Sequence, residues 1–164
     1  MPNFTSLPLL QKFDSLSLHD LYQIAQKLAG ICKAGQVIAL WGNLGVGKTT
    51  FARSLIKTLV PDAGEIPSPT FALVQTYCST LFDVWHFDLY RLQHPEEVLE
   101  LSIEEAWHNS LVLIEWPERL GHLLPDDRLD VRIDFAKLPN HRQVQICGSR
   151  AWADQLLTLG TKPW

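Results

Sequence analysis

The chain has 164 residues, 46% of them hydrophobic and 20% charged, with a formal net charge of −4. That length suits one domain able to bury a real core, and the acidic balance excludes the strong positive field of a protein that wraps nucleic acid by itself. Met1-Pro2-Asn3-Phe4 lacks the basic-then-apolar order of a signal peptide, and no apolar run is long enough to span a bilayer. Cys32, Cys78 and Cys147 are scattered without metal-ligand spacing, which points to buried thiols in a reducing compartment, the cytosol, with no membrane partner.

Residues 1–15 read as an irregular lead-in. Ser17-Leu18-His19-Asp20 has the form of a helix capping box. Leu18, Leu21, Ile24, Ala25 and Leu28 then recur at helical spacing until Gly30 closes the segment. Ser17 is either a cap alone or part of a helix start close enough to touch a nucleotide base.

Val37-Ile38-Ala39-Leu40-Trp41 is a buried-strand run, and Gly42-Asn43-Leu44-Gly45-Val46-Gly47-Lys48-Thr49-Thr50 after it fits G-x-x-x-x-G-K-[ST]. Gly42, Gly45 and Gly47 let the backbone curl so that successive N–H groups face phosphate oxygens. The helix starting near Lys48 sets its positive dipole end beneath them. Lys48 is expected to reach the β- and γ-phosphates, and Thr49 to offer its hydroxyl to Mg²⁺. An ordinary glycine-rich turn is the plainer alternative, but strand before and helix after favour binding of ATP or GTP.

The P-loop helix is predicted to run to Val60, where Pro61-Asp62-Ala63-Gly64 breaks it. Ser68-Pro69-Thr70, stiffened by Pro67 and Pro69, occupies the place where P-loop proteins carry a phosphate-sensing switch; a rigid connector would look the same. Phe71–Tyr77 and Leu81–Leu89 read as an antiparallel hairpin. Along its second strand Asp83, Trp85 and Phe87 face one way and Val84, His86 and Asp88 the other. Asp88, at the strand end, suits a carboxylate that holds metal-bound water or orients an attacking water, or merely a hydrogen-bonded surface aspartate. His86 has no second ligand at suitable spacing and reads as a strand histidine with a satisfied ring.

A helix is expected from His94-Pro95-Glu96-Glu97, with Leu99, Leu101, Ile103 and Ala106 as its apolar side and a break near Ser102. The glutamate pairs Glu96-Glu97 and Glu104-Glu105 read as solvated faces. Leu111-Val112-Leu113-Ile114-Glu115 has the form of a Walker B strand, apolar throughout as a central parallel strand should be. Its terminal Glu115 is expected beside the P-loop as a Mg²⁺ carboxylate, or else as a cap on the turn that Trp116-Pro117 begins. Leu129–Phe135 and Val144–Cys147 are predicted strands closing one side of the sheet, and Ala151–Leu159 a terminal helix. The whole chain, 1–164, is therefore expected to be a single α/β P-loop NTPase domain. Its central sheet should be mixed and mostly parallel, flanked by helices, with an antiparallel hairpin portion.

Several of these pieces match one family together. The chain resembles the TsaE (YjeE) family, small P-loop ATPases of bacterial tRNA threonylcarbamoyladenosine synthesis. The match rests on Gly42 through Phe51, Ser68-Pro69-Thr70-Phe71, His86-Phe87-Asp88-Leu89-Tyr90-Arg91-Leu92, Ile114-Glu115-Trp116-Pro117-Glu118 and Leu124-Pro125-Asp126-Asp127-Arg128-Leu129. The resemblance implies ATP as substrate and Mg²⁺ as cofactor, with Lys48 on the phosphates and Thr49 and Glu115 on the metal. It further implies Asp88 at the hydrolytic centre, Ser68-Pro69-Thr70 as a switch-like loop, Trp116 close to the nucleotide and the helix start at Ser17 near the adenine. The implied partner is the TsaB–TsaD heterodimer, in which TsaD transfers the threonylcarbamoyl group to adenosine 37 of tRNA; tRNA is met only through that complex. Asn43 departs from the family's usual Asp, and Ser102 from a frequent Gly. No certain arginine finger is visible, so slow hydrolysis by the chain alone is expected, with the partner complex completing the site. A small-molecule P-loop kinase would need a basic lid, which the sequence lacks. A nucleotide-gated protein-binding module is the other alternative.

Overall fold

Leu111-Val112-Leu113-Ile114, apolar at every position, belongs to the strand on which the rest of the sheet is built. The structure is a computed structural model and describes residues 5–159. Its strands are β1 (Leu9–Ser17), β2 (Val37–Trp41), β3 (Val74–Tyr77), β4 (Asp83–Asp88), β5 (Ser110–Glu115), β6 (Leu129–Phe135) and β7 (His141–Gly148). They form one sheet in the order β1-β7-β6-β2-β5-β4-β3. β2 runs parallel to both β5 and β6, and β4 parallel to β5, while β3, β7 and β1 pair antiparallel at the flanks. Four parallel strands thus end together, and β2, β4 and β5 deliver the glycine-rich loop, Asp88 and Glu115 to one edge, the edge where open α/β sheets bind ligands.

Every residue of β5 is buried, as two-sided cover requires. On one face Ile38, Leu40, Leu111 and Leu113 pack with Leu21, Ile24 and Leu28 of α1 (Leu18–Ala29), with Phe51, Leu55 and Ile56 of α2 (Lys48–Leu59), and with Trp152 of α4 (Arg150–Leu157). On the other, Val37, Phe87, Val112 and Ile114 meet Ile103 and Ala106 of α3 (Ile103–Asn109), together with Val98 and Leu120. Each fully buried Leu, Ile or Phe contributes about 1.5–3 kcal/mol of transfer free energy. The alternation expected along β4 holds: Val84 joins the first cluster, while Phe87 joins the second with Trp85 packed against it. Among the described residues no helix is long and apolar enough to cross a membrane.

Four local expectations are corrected. The lead-in is not irregular to residue 15: Leu9–Ser17 pairs with β7, through two register irregularities that blur any period-two pattern in the sequence. Its residues Leu10, Phe13 and Leu16 pack on the core, so tertiary pairing makes this strand; residues 1–4 lie outside the described residues. The hairpin's first strand starts at Val74, because Leu73 takes a left-handed φ of 67° and leaves Phe71 82% exposed in a turn. Pro95–Leu101 winds as a 3-10 helix, whose tighter turn buries Val98 and exposes Leu99. Cys78 is exposed, unlike Cys32 and Cys147. The break near Ser102 is present, with that residue at φ 58°, ψ 30°, a left-handed position that glycine would occupy without strain.

Candidate nucleotide site

The loop between β2 and α2 turns where only glycine fits. Gly42 has φ +132°, and a Cβ there would collide with the carbonyl oxygen of Ile133. Gly47, the N-cap of α2, has φ +115° and stands beside Leu21 of α1, so the start of that helix reaches the loop. Val46 is buried between them, and its carbonyl accepts a 2.6 Å hydrogen bond from Arg142 Nε on β7. The loop is thereby tied to the antiparallel side of the sheet, a contact for which the sequence carries no local signal.

Lys48 is 4% exposed. Its Nζ donates to the carbonyls of Gly42 (2.7 Å) and Asn43 (2.9 Å) and lies 3.8 Å from the ring centroid of Trp116. Burial pushes its ammonium pKa down, and the carboxylates of Glu115, Glu118 and Asp88 work against that. A bound polyphosphate adds negative charge where it favours the protonated ammonium. Trp116 reaches this position because it adopts φ 60°, ψ 50° directly after β5, a conformation that costs a non-glycine residue about 1–3 kcal/mol and is concentrated at functional sites. Tyr90 leans on the same indole, 4.9 Å between centroids.

Two carboxylates stand side by side at the strand ends, since Asp88 and Glu115 are register partners in the β4–β5 ladder. Glu115 is 2% exposed. Its Oε2 accepts from Thr49 Oγ1 (2.8 Å), and its Oε1 lies 2.8 Å from His86 Nε2. Asp88 Oδ2 accepts from Thr70 Oγ1 (2.7 Å), which is itself 2.7 Å from Ser68 Oγ, and Asp88 Oδ1 accepts the Tyr90 N–H (3.1 Å). The Ser68-Pro69-Thr70 loop is therefore latched to the acid at the end of β4.

A cavity of about 360 Å³ opens over this array, lined by Leu44, Gly45, Gly47, Lys48, Thr49, Thr50, Ser68, Thr70, Asp88, Tyr90, Glu115 and Trp116. Gly42, Asn43 and Val46 shape the loop without lining the cavity, and Pro69 and Ser17 do not line it either. Ser17 caps α1: its Oγ accepts from the Asp20 N–H (3.2 Å) and donates to Asp20 Oδ2 (2.7 Å), while Asp20 bonds back to the Ser17 N–H (2.9 Å). Among the described residues no arginine lines the cavity. Arg53 is held on the Ile66 carbonyl, Arg119 on that of Leu92, and Arg91 lies over Phe71.

The donor set fits a hard cation. Thr49, Glu115 and Asp88 offer only oxygen, and among the described residues no group of three or more His, Cys, Asp or Glu forms a closed cage. One hydroxyl and one carboxylate, with phosphate and water for the rest, is the coordination that octahedral Mg²⁺ accepts.

His86 corrects one expectation: its ring is half satisfied, with Nε2 on Glu115 and the buried Nδ1 without a partner. The signal was present, because period two puts His86 on the face of Asp88. The sequence reading also passed over Asp130. It is wholly buried and takes Arg128 Nε (2.8 Å) and Nη2 (3.1 Å) as well as the Trp41 indole N–H (2.8 Å). A second cavity, of about 380 Å³, lies beside Trp41 and Arg128. It has no glycine loop, and its arginine is already committed to Asp130.

Residues 15–144 match the family described as "Threonylcarbamoyl adenosine biosynthesis protein TsaE". A tRNA threonylcarbamoyladenosine biosynthesis protein TsaE of Rickettsia felis is 44% identical over 112 residues, 68% of this chain and 66% of that protein, so the match spans just under two thirds of the relative. The protein of that name from a Nostoc species is 45% identical over 118 residues (69% and 70%), and that from Bacillus subtilis 32% identical over 126 residues (76% and 78%). In three dimensions the chain is similar to the crystal structure of Bacillus subtilis YdiB, with a TM-score of 0.73 at 24% identity, covering 94% of this chain and 95% of the other. That likeness supports the fold.

Proposed function

This chain belongs to the TsaE family, and on that premise we propose that it is an Mg²⁺-dependent ATPase serving tRNA threonylcarbamoyladenosine (t6A37) synthesis. The observation that carries the reading is the hydroxyl–carboxylate pair of Thr49 and Glu115, 2.8 Å apart at the foot of a glycine loop whose lysine faces the same cavity. Loop N–H groups and Lys48 bind the triphosphate, and the N-terminus of α2 adds its dipole. Mg²⁺, when bound, would be held by Thr49 and Glu115 and supplies neutralisation of the charge that spreads over the transferring phosphoryl oxygens. Asp88, steadied by Thr70 and the Tyr90 N–H, accepts a hydrogen bond from the attacking water or from water around the metal. The Ser68-Pro69-Thr70 loop responds to the γ-phosphate through the Thr70–Asp88 contact, Trp116 closes the wall behind Lys48, and the start of α1 at Ser17 approaches the base.

Among the described residues the charge set around the cavity lacks an arginine, and this favours a slow enzyme that a partner completes. That partner is the TsaB–TsaD heterodimer, which brings the tRNA; hydrolysis then lets the complex turn over repeatedly. Phosphate release from ATP, measured with and without Mg²⁺ and with and without TsaB–TsaD, tests the reading. Mg²⁺-dependent release accelerated by the heterodimer is expected. Equal rates with and without it would remove the partner from the account, and transfer of phosphate to a small metabolite would replace the account with a kinase.

A further inference from the structure

His86 is wholly buried, two residues before Asp88 on β4. A buried ring nitrogen without a partner costs about 1–3 kcal/mol, and Nδ1 is such an atom among the described residues. A leucine would fill comparable space without that cost. What the imidazole does at its other nitrogen must therefore account for its presence. There Nε2 lies 2.8 Å from Glu115 Oε1, and the proton of this bond is on Nε2: a carboxylate has none to give, and Nδ1 has no acceptor to give one to.

The Glu115 side chain has three torsions, and among the described residues two side-chain donors hold its oxygens: Thr49 on Oε2 and His86 on Oε1. They differ in kind. Thr49 belongs to the loop and lines the cavity, and its hydroxyl is itself a ligand on the proposed reading. The hydroxyl can give a lone pair to a cation and keep its O–H on Oε2, so its place is then set partly by the metal. His86 lies behind, outside the cavity lining, and has no such second duty. We propose that His86 is a positioning residue, whose Nε2–H fixes Glu115 so that Oε2 stays turned to Thr49 and the divalent cation meets a preformed pair. This rests on the proposed function, since it assigns a role to His86 through the carboxylate that the reading gives to Mg²⁺. Direct ligation by His86 is disfavoured, because its one bonded nitrogen faces the carboxylate and Mg²⁺ selects oxygen.

The test is binding of a non-hydrolysable ATP analogue to the full chain by calorimetry, in EDTA and in Mg²⁺, with thermal melting of each protein as the check on folding. The wild type binds more tightly with Mg²⁺. His86→Leu retains its affinity in EDTA but loses about 10-fold or more of the Mg²⁺-dependent gain, the usual effect of removing a group that orients a metal ligand. His86→Gln, whose amide nitrogen reaches the place of Nε2, recovers the gain. His86→Asn, whose amide reaches only the place of Nδ1, does not. Should the leucine protein fail to fold, the Gln and Asn pair decides alone. A wild-type gain in His86→Leu or His86→Asn, or no recovery in His86→Gln, overturns the positioning role and leaves the ATPase reading standing. No Mg²⁺ gain in the wild type itself would overturn that reading and this inference with it.

Discussion

Two of the buried carboxylates, Asp130 and Glu115, are each bonded at both oxygens, yet they do opposite things. Asp130 is met by the forked guanidinium of Arg128 and by the Trp41 indole, so its charge is cancelled inside the protein. Glu115 is met by a threonine hydroxyl and a histidine N–H. Those donors take one lone pair on each oxygen and leave the others for a further partner. The nearby cation, Lys48, bonds two loop carbonyls instead. The same residue chemistry thus closes one site and, on the proposed reading, lets the other take a cation, because a forked guanidinium meets the first carboxylate on both oxygens while a hydroxyl and an imidazole meet the second.

The largest effect that can break this contrast is Arg128→Met. Removing one partner of a buried ion pair costs about 3–5 kcal/mol, so urea unfolding should show a loss of that order, with nucleotide affinity of the folded fraction unchanged. A stable protein with weakened nucleotide binding would show that Asp130 belongs to the site. Next is Glu115→Gln, which keeps shape and removes the charge. Phosphate release in the presence of TsaB–TsaD should fall about 10²–10³-fold, as on loss of a preorganised electrostatic group, with little change in melting temperature. An unaffected rate would make Glu115 as structural as Asp130. Asp88→Asn should lower the same rate by about 10²-fold, because the amide has one acceptor oxygen for Thr70, the Tyr90 N–H and water, where the carboxylate has two.

The smallest effect concerns the thiols. Burial pushes the Cys32 thiol from an ordinary 9.0 up to about 12, and Cys147 is raised by burial and then by the Asp130 charge. In the native protein at pH 8 a disulfide reagent should therefore label exposed Cys78 first, with the other two following only on unfolding. A raised pKa means that the folded state keeps its proton longer. The Cys32 contribution is full below pH 9 and declines as pH rises toward 12, about 1 kcal/mol between pH 9 and 10, readable as a falling unfolding free energy. Equal labelling of all three thiols would contradict the burial on which these comparisons depend.

The site was legible wherever a residue's role is local. Gly42 through Thr50 carry their geometry in the type of residue, Ser17 and Asp20 cap a helix three residues apart, and Leu111 to Glu115 show two-sided burial in an unbroken apolar run. Roles that join distant segments were not. β1 exists because β7 offers an edge, and Asp130 is bound by residues on either side of a parallel ladder. Val98 replaces Leu99 in the core because a segment winds with three residues per turn instead of 3.6.

By itself the sequence determined that a glycine-rich loop stands between a strand and a helix, and that acids end two further strands. Only the tertiary structure decided that those strands are neighbours in parallel register, so that Asp88 and Glu115 meet the same cavity. It also decided which partners each acid keeps. Backbone conformation and burial periodicity are properties of short stretches of chain, whereas the full set of partners of a buried charge depends on which groups, near or distant in sequence, the packed fold brings within hydrogen-bonding distance.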